Sequence, residues 1–413
     1  RLYVKSPAVL TLDNCKLFGC TELWEGIKLE TNGPKQASIE VKNGTTIEDM
    51  YGGIYRVDTY TLGTSAQIGY IKITDSKLNK NYVGVQMNGI PSYSTGTSYS
   101  LTVKNSTLTT ASSTTSPGWA LKGSSTYTYA YNQIPGGASG STASYTAFPR
   151  SYMGIYANNI SPQLNIIVGD SAGASNTYNT FSNLDMGICA NNANLRVHNN
   201  YFYNLKGSPK YADVLGMAVV AGPDEIGVGI VAQHTVANTY SLQVGTKTTA
   251  PVIASLAYPK GNAYKTIYKG ISVKNCKTLI VKGNNFDADT TDEIFTDYNP
   301  IPTSANNSYY YYKAHTAIYS TALTQNATLG WNFIKNYRNG IYSSFTMSVS
   351  TGAGIACKNN NIQVPHALGY CKLAIGFDQI GGANIPANGL EITTNSIQKV
   401  YCGIQCKAIP AGL

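Results

Sequence analysis

A chain of 413 residues with 43% hydrophobic content has material for a large core, yet only 12% of it is charged, about half the usual share for a soluble domain. Gly, Ser, Thr, Asn and above all Tyr (32, against 9 Phe) replace Glu and Lys, a composition of extracellular β proteins rather than cytosolic enzymes. The net charge of +9 is spread without a basic run, which argues against nucleic acid, and no run of about 18 apolar residues offers a transmembrane segment.

Arg1 stands only two positions before strand-like sequence, and the expectation is a processed or partial segment of a longer polypeptide. The first element is Leu10-Thr11-Leu12-Asp13-Asn14 with Leu17. It combines two alternating apolar residues, a polar residue, Asn or Asp, and an apolar anchor three residues on. The phrase returns as Ile39-Glu40-Val41-Lys42-Asn43 with Ile47 one residue late, Ile71-Lys72-Ile73-Thr74-Asp75 with Leu78, and Leu101-Thr102-Val103-Lys104-Asn105 with Leu108. Further copies are Leu195-Arg196-Val197-His198-Asn199 with Phe202, Ile355-Ala356-Cys357-Lys358-Asn359 with Ile362, and the looser Leu390-Glu391-Ile392-Thr393-Thr394 with Ile397. Seven residues after the anchor comes a second phrase, Gly plus an apolar residue: Gly53-Ile54, Gly84-Val85, Gly187-Ile188, Gly340-Ile341 and Gly403-Ile404.

Alternation at period two marks strands with one buried face. Asn or Asp at a strand end suits a left-handed corner, and Gly before the next strand allows another. Such a unit cannot bury its own apolar face, so units must stack as coils, with Leu12, Val41, Ile73, Val103, Val168, Val197, Val281, Cys357 and Ile392 forming one interior column. The expected fold is all-β, one continuous right-handed parallel β-helix of roughly ten or eleven coils over residues 1–413. Insertions are expected at about 111–151, 206–226, 245–268 and 290–313. The eight Cys are scattered: Cys15/Cys20 and Cys402/Cys406 are spaced as disulfide candidates, and the alternative is Cys as a small buried residue of the coil interior.

With these phrases the chain resembles the pectate-lyase-like superfamily of right-handed β-helices. The stretches Leu10 to Leu17, Leu23-Trp24-Glu25-Gly26-Ile27 and Gly44 to Asp49 resemble, more narrowly, large exported surface proteins of the Bacteroidota, adhesin-like cargo of type IX secretion. The resemblance implies secretion to the cell surface and leaves activity open. The Asn-Thr-Asp, Asp-Asp, Gly-His-Gly and Arg-Ile-Lys motifs of the superfamily's pectin hydrolases are missing. Glu25, Glu48, Asp49 and Asp185 occupy different phases of the repeat and are not expected to converge as a catalytic pair.

Three sets of residues remain as candidates for contact. Tyr127, Tyr129, Tyr131 and Tyr145 in the first insertion, with Tyr310, Tyr311 and Tyr312 in the fourth, have the Tyr/Ser/Gly composition of binding loops; otherwise they fold onto the wall. Lys42, Lys104, His198, Lys282 and Lys358 precede the corner in different coils. They read either as a basic stripe for an anionic glycan or as charges that keep an exposed sheet soluble, the second being favoured. Asp287, Asp289, Asp292 and Glu293 form an oxygen-rich loop for which Ca²⁺ is the fitting cation, without EF-hand spacing; a solvated loop is the simpler reading. No other cofactor is implied. The leading expectation is a non-enzymatic structural or adhesive surface protein, in contact with cell-surface glycans, cells or neighbouring subunits, with a homo-oligomer compatible. The alternative is a β-helix lyase or glycoside hydrolase acting on an acidic polysaccharide.

Overall fold

The computed structural model describes residues 1–19, 24–30, 36–50, 52–57, 69–90, 99–110, 126–130, 142–146, 151–171, 177–205, 227–235, 239–246, 261–288, 315–345, 354–363, 371–379 and 389–407. Their strands form three long parallel sheets and one hairpin. The first sheet has twelve strands, from Leu2–Val4 to Val400–Lys407; the second has eleven, from Val9–Asp13 to Leu390–Thr393; the third has eleven, from Lys16–Leu17 to Ser396–Gln398. Successive wall strands visit the three sheets in turn, so each circuit lays one coil beside the last. The chain is a parallel β-helix of about eleven coils, and no helix occurs among the described residues.

The interior column runs in register. Leu12 pairs with Val41, Val41 with Ile73, Ile73 with Val103, Val103 with Val168 and Val168 with Val197; the column then continues through Val244, Val281, Leu329 and Cys357 to Ile392. All are buried except Ile392, which is half-buried in the last coil. A second column carries the anchors, with rings at its centre: Phe181, Phe202, Tyr264 and Phe286 stack at centroid separations of 5.0, 4.9 and 4.4 Å. A third runs from Leu2 through Ile27, Ile54, Val85, Ile155 and Ile188 to Ile404.

The corner residues take the expected conformation. Asn14, Asn43, Asp75, Asn105, Asn199, Asn359 and Thr394 have φ between 45° and 58°. Asn and Asp enter this region readily because a short polar side chain can bond locally. Most of the glycines of the second phrase have a different role from the expected corner. Gly53 has φ 76°, but Gly84, Gly187, Gly340 and Gly403 lie inside strands and are absent from the positive-φ region. At Gly187 a Cβ would come within 2.8 Å of the Phe202 ring and 2.5 Å of the next coil's Gly229 carbonyl. The missing side chain makes room for the ring column.

Beside the corners runs a buried ladder of asparagines. The Nδ2 of Asn179 donates to Oδ1 of Asn200 (2.8 Å), Asn200 to Asn262 (2.8 Å), Asn262 to Asn284 (2.9 Å), Asn284 to Asn332 (3.0 Å), Asn332 to Asn360 (3.0 Å) and Asn360 to Asn395 (2.9 Å). Each Nδ2 also donates back to a main-chain carbonyl of the preceding coil, as Asn262 does to Val197 and Asn284 to Val244. The ladder thus keeps its amides inside with both donor and acceptor engaged.

Two details of the insertions differ from expectation. The first contains an antiparallel hairpin, Thr126–Ala130 with Thr142–Thr146, and its last expected residue, Ser151, already begins a wall strand. The wall strand Ala263–Ile267 falls inside the stretch assigned to the third insertion and pairs with Asn200–Leu205. Its anchor is Tyr264, whose hydroxyl sets it apart from the apolar anchors of the repeated phrase.

Candidate functional site

The corner-preceding residues do line up along the second sheet, but they do not form a free basic stripe. Lys42 Nζ lies 3.4 Å from Asp13, Lys104 2.9 Å from Asp170, and Lys358 3.6 Å from Glu391. Lys282 sits over the Trp331 ring, 5.4 Å from its centroid. His198, expected to face outward, is buried. Loss of hydration pushes its pKa down to about 4, helped by Arg196 and opposed by Asp170. It follows the strand Asn194–Val197 rather than lying within it, so strand alternation does not govern its side chain. The stripe is three ion pairs, one cation–π contact and a neutral imidazole.

The carboxylates show the same habit. Asp13 and Lys42, Glu40 and Lys72, and Asp287 and Lys335 are register partners as well as ion pairs. Glu25 contacts Arg1 and accepts from the Tyr55 hydroxyl; Glu30 accepts from Ser6 N and Tyr3. Asp75 accepts from Asn105, and Asp378 from the Tyr342 hydroxyl. Glu48 and Asp49 come together around Lys80 at 3.9 and 3.6 Å, and all three are closed to solvent at 2% exposure or less. Asn79 Nδ2 donates to Glu48 at 2.6 Å, and Lys16 approaches it at 3.8 Å. A carboxylate pair without solvent access cannot meet a polysaccharide. The Asp185 side chain lies outside the described residues.

Asp287, read as part of an acidic loop, ends the wall strand Asn285–Asp287 and faces Lys335; Asp289, Asp292 and Glu293 lie outside the described residues. Among the described residues, no group of three or more His, Cys, Asp or Glu is placed to hold a metal ion. Tyr127, Tyr129 and Tyr145 lie on the hairpin, where Tyr127 is directly opposite Tyr145 and Tyr129 opposite Ala143. Tyr131, Tyr310, Tyr311 and Tyr312 lie outside the described residues. Cys402 and Cys406 are free thiols, not a disulfide, because two residues of one strand four apart extend along it rather than toward each other. Cys15 is also free, and Cys20 lies outside the described residues. Cys276 and Cys357 are interior, and burial pushes both thiols up to about 12.

One feature absent from the sequence reading is a shallow groove of about 190 Å³ on the outer face of the second sheet. Its lining includes Asn194, Arg196, Ser241, Gln243, Thr278 and Ile280. Arg196 is the middle residue of an apolar–charged–apolar triplet, Leu195-Arg196-Val197, so alternation alone puts its guanidinium outside. A signal existed in the recurring polar residue between the two apolar ones, but its character changes from coil to coil and shows no pattern in one dimension.

No protein-family model matches the chain, and no curated protein or solved structure matches it at a significant level. The fold alone therefore defines the class, a parallel β-helix solenoid.

Proposed function

We propose that this chain is a non-enzymatic extracellular structural and adhesive surface protein. In this reading it is a right-handed β-helix stalk that presents Tyr/Ser/Gly-rich insertions to glycans, cells or neighbouring subunits. Membership of the pectate-lyase-like superfamily, export by a type IX route and attachment at the cell surface belong to the same reading. The observation that carries it is the use of acidic side chains. Every carboxylate whose side chain is described engages a neighbouring coil, by ion pair or hydrogen bond, as Asp13, Glu40, Glu48, Asp75, Asp170, Asp287 and Glu391 do. Glycoside hydrolysis instead needs two carboxylates facing a common substrate. Carboxylates used as fasteners suit a scaffold whose task is to remain rigid.

The test is incubation of the purified chain with pectin, alginate and host-type glycans, with and without Ca²⁺. The expected result is neither reducing ends nor the ultraviolet absorbance of an unsaturated lyase product, together with retention of the chain on at least one glycan-coated surface. Turnover that disappears on Asp185→Asn or Asp49→Asn would establish the polysaccharide-degrading alternative instead.

A further inference from the structure

The groove on the second sheet is built by register. Along the outward row, Ile167 pairs with Arg196, Arg196 with Gln243 and Gln243 with Ile280, so four consecutive coils contribute one side chain each. With neighbouring strands roughly 4.8 Å apart, this row spans about 14 Å. Two residues earlier in each strand run Asn165 and Asn194, which pair with each other, then Ser241 and Thr278, which also pair. The Asn194 amide is pinned on both sides: its Oδ1 accepts from Ser241 N at 2.8 Å and its Nδ2 donates to the Pro162 carbonyl.

Arg196 differs from the lysines of the same sheet. Lys42, Lys72, Lys104 and Lys358 each face a carboxylate, and Lys282 lies over the Trp331 ring. Arg196 is exposed and has no ion-pair or hydrogen-bond partner among the described residues. The side chains lining the groove around it are amides, hydroxyls and aliphatics, the buried His198 nearby is neutral, and none of them neutralises it. A guanidinium presents a rigid planar fork of donors, matched to a planar or tetrahedral oxyanion. The Ser241 and Thr278 hydroxyls and the Gln243 amide offer both donors and acceptors beside it. Ile280 lines the groove at one end of the row, and Ile167 flanks it at the other; both are half-buried and add apolar surface.

We propose that this groove binds a saccharide chain carrying an oxyanion substituent, laid across the coils. Arg196 holds the anionic group in a bidentate contact. Gln243, Ser241 and Thr278 meet ring hydroxyls, and Ile280 and Ile167 pack against C–H faces. The proposal rests on the glycan-contact reading above and gives it a ligand class and a location apart from the insertions. The anionic group could be the carboxylate of a uronic acid or a sulfate ester; the guanidinium accepts both, and the experiment separates them.

Binding of oligogalacturonate, a sulfated heparin-type oligosaccharide and neutral dextran is measured by calorimetry for the whole chain and three variants. Either or both anionic oligosaccharides should bind in preference to dextran. Arg196→Gln should weaken that binding by about tenfold or more, as expected for a lost charge-assisted contact. Arg196→Lys should recover only part of it, because a point charge replaces the fork. Lys104→Gln, on the same sheet but already paired with Asp170, should leave it within about twofold. Coinciding melting curves for wild type and Arg196→Gln confirm that the fold is intact. If neither anionic oligosaccharide binds, or if Arg196→Gln binds as wild type does, the proposal is overturned. In the second case glycan contact stands and only its location is wrong, whereas turnover of the oligosaccharides would sink the non-enzymatic reading while leaving the binding result to be judged separately.

Discussion

At the scale of single residues, the wall contains charges that only their partners make tolerable. Lys80 is fully buried between Glu48 and Asp49. Lys80→Met leaves two carboxylates in a closed site and should cost about 3–5 kcal/mol in urea unfolding, whereas Lys104→Met, at a half-open ion pair, should cost under about 1 kcal/mol. Equal losses would show that the Lys80 cluster is wetter than its burial indicates. The two buried histidines give a pH signature. His198 and His234 are both held near 4, chiefly by loss of hydration. A folded-state pKa below the unfolded value means that the unfolded chain binds protons first. Their contribution is therefore present in full above about pH 6.5 and is lost as pH falls toward 4, by roughly 3 kcal/mol per ring at most. His234→Leu removes one of the two rings and should roughly halve their contribution to that slope; a slope unchanged in the variant would assign the acid sensitivity to other groups.

At the scale of elements, strands are specified by alternation and coils by the asparagine ladder. Val103→Asp places an unpaired charge in the interior column and should impair folding far more than Lys104→Glu one residue on; equal tolerance would contradict the strand phase. Asn284→Leu removes bonds to Val244 and Asn332 and strips Asn262 of an acceptor, at an expected cost of about 4 kcal/mol. Asn395→Leu, at the half-buried end of the ladder, should cost clearly less in the same melts, and the reverse order would contradict the ladder's role. The strand column and its corners were legible because they repeat a phrase within five residues, as at Leu101 to Asn105. The ladder was not, because a polar residue beside a corner reads as exposed loop. Its trace was nonetheless present as Asn two residues ahead of the anchor, in Asn200/Phe202, Asn262/Tyr264, Asn284/Phe286, Asn332/Ile334 and Asn360/Ile362. The neutralisation of the stripe was hidden in the sequence for a related reason. Asp13 and Asp170, which neutralise Lys42 and Lys104, lie 29 and 66 residues away along the chain and become neighbours only when coils stack.

At the scale of the whole molecule, each coil draws its stability from the coils on either side, so insertions hang from a wall that does not depend on them. The first insertion shows this most clearly. Its hairpin strands, Thr126–Ala130 and Thr142–Thr146, pair only with each other among the described residues, while the strands Val83–Ile90 and Ser151–Ile160 pair directly across the gap. The central claim, a rigid β-helix stalk whose insertions make contact, is therefore tested most directly by deleting Ser124 to Thr146. Retention on a glycan-coated surface is then measured for the deletion variant and the whole chain, both carrying Arg196→Gln so that the groove does not contribute, with circular dichroism recorded on the same samples. The account predicts an unchanged strand spectrum and melting midpoint together with markedly reduced retention. Loss of the fold along with the hairpin, or a folded variant retained as strongly as the whole chain, would contradict it.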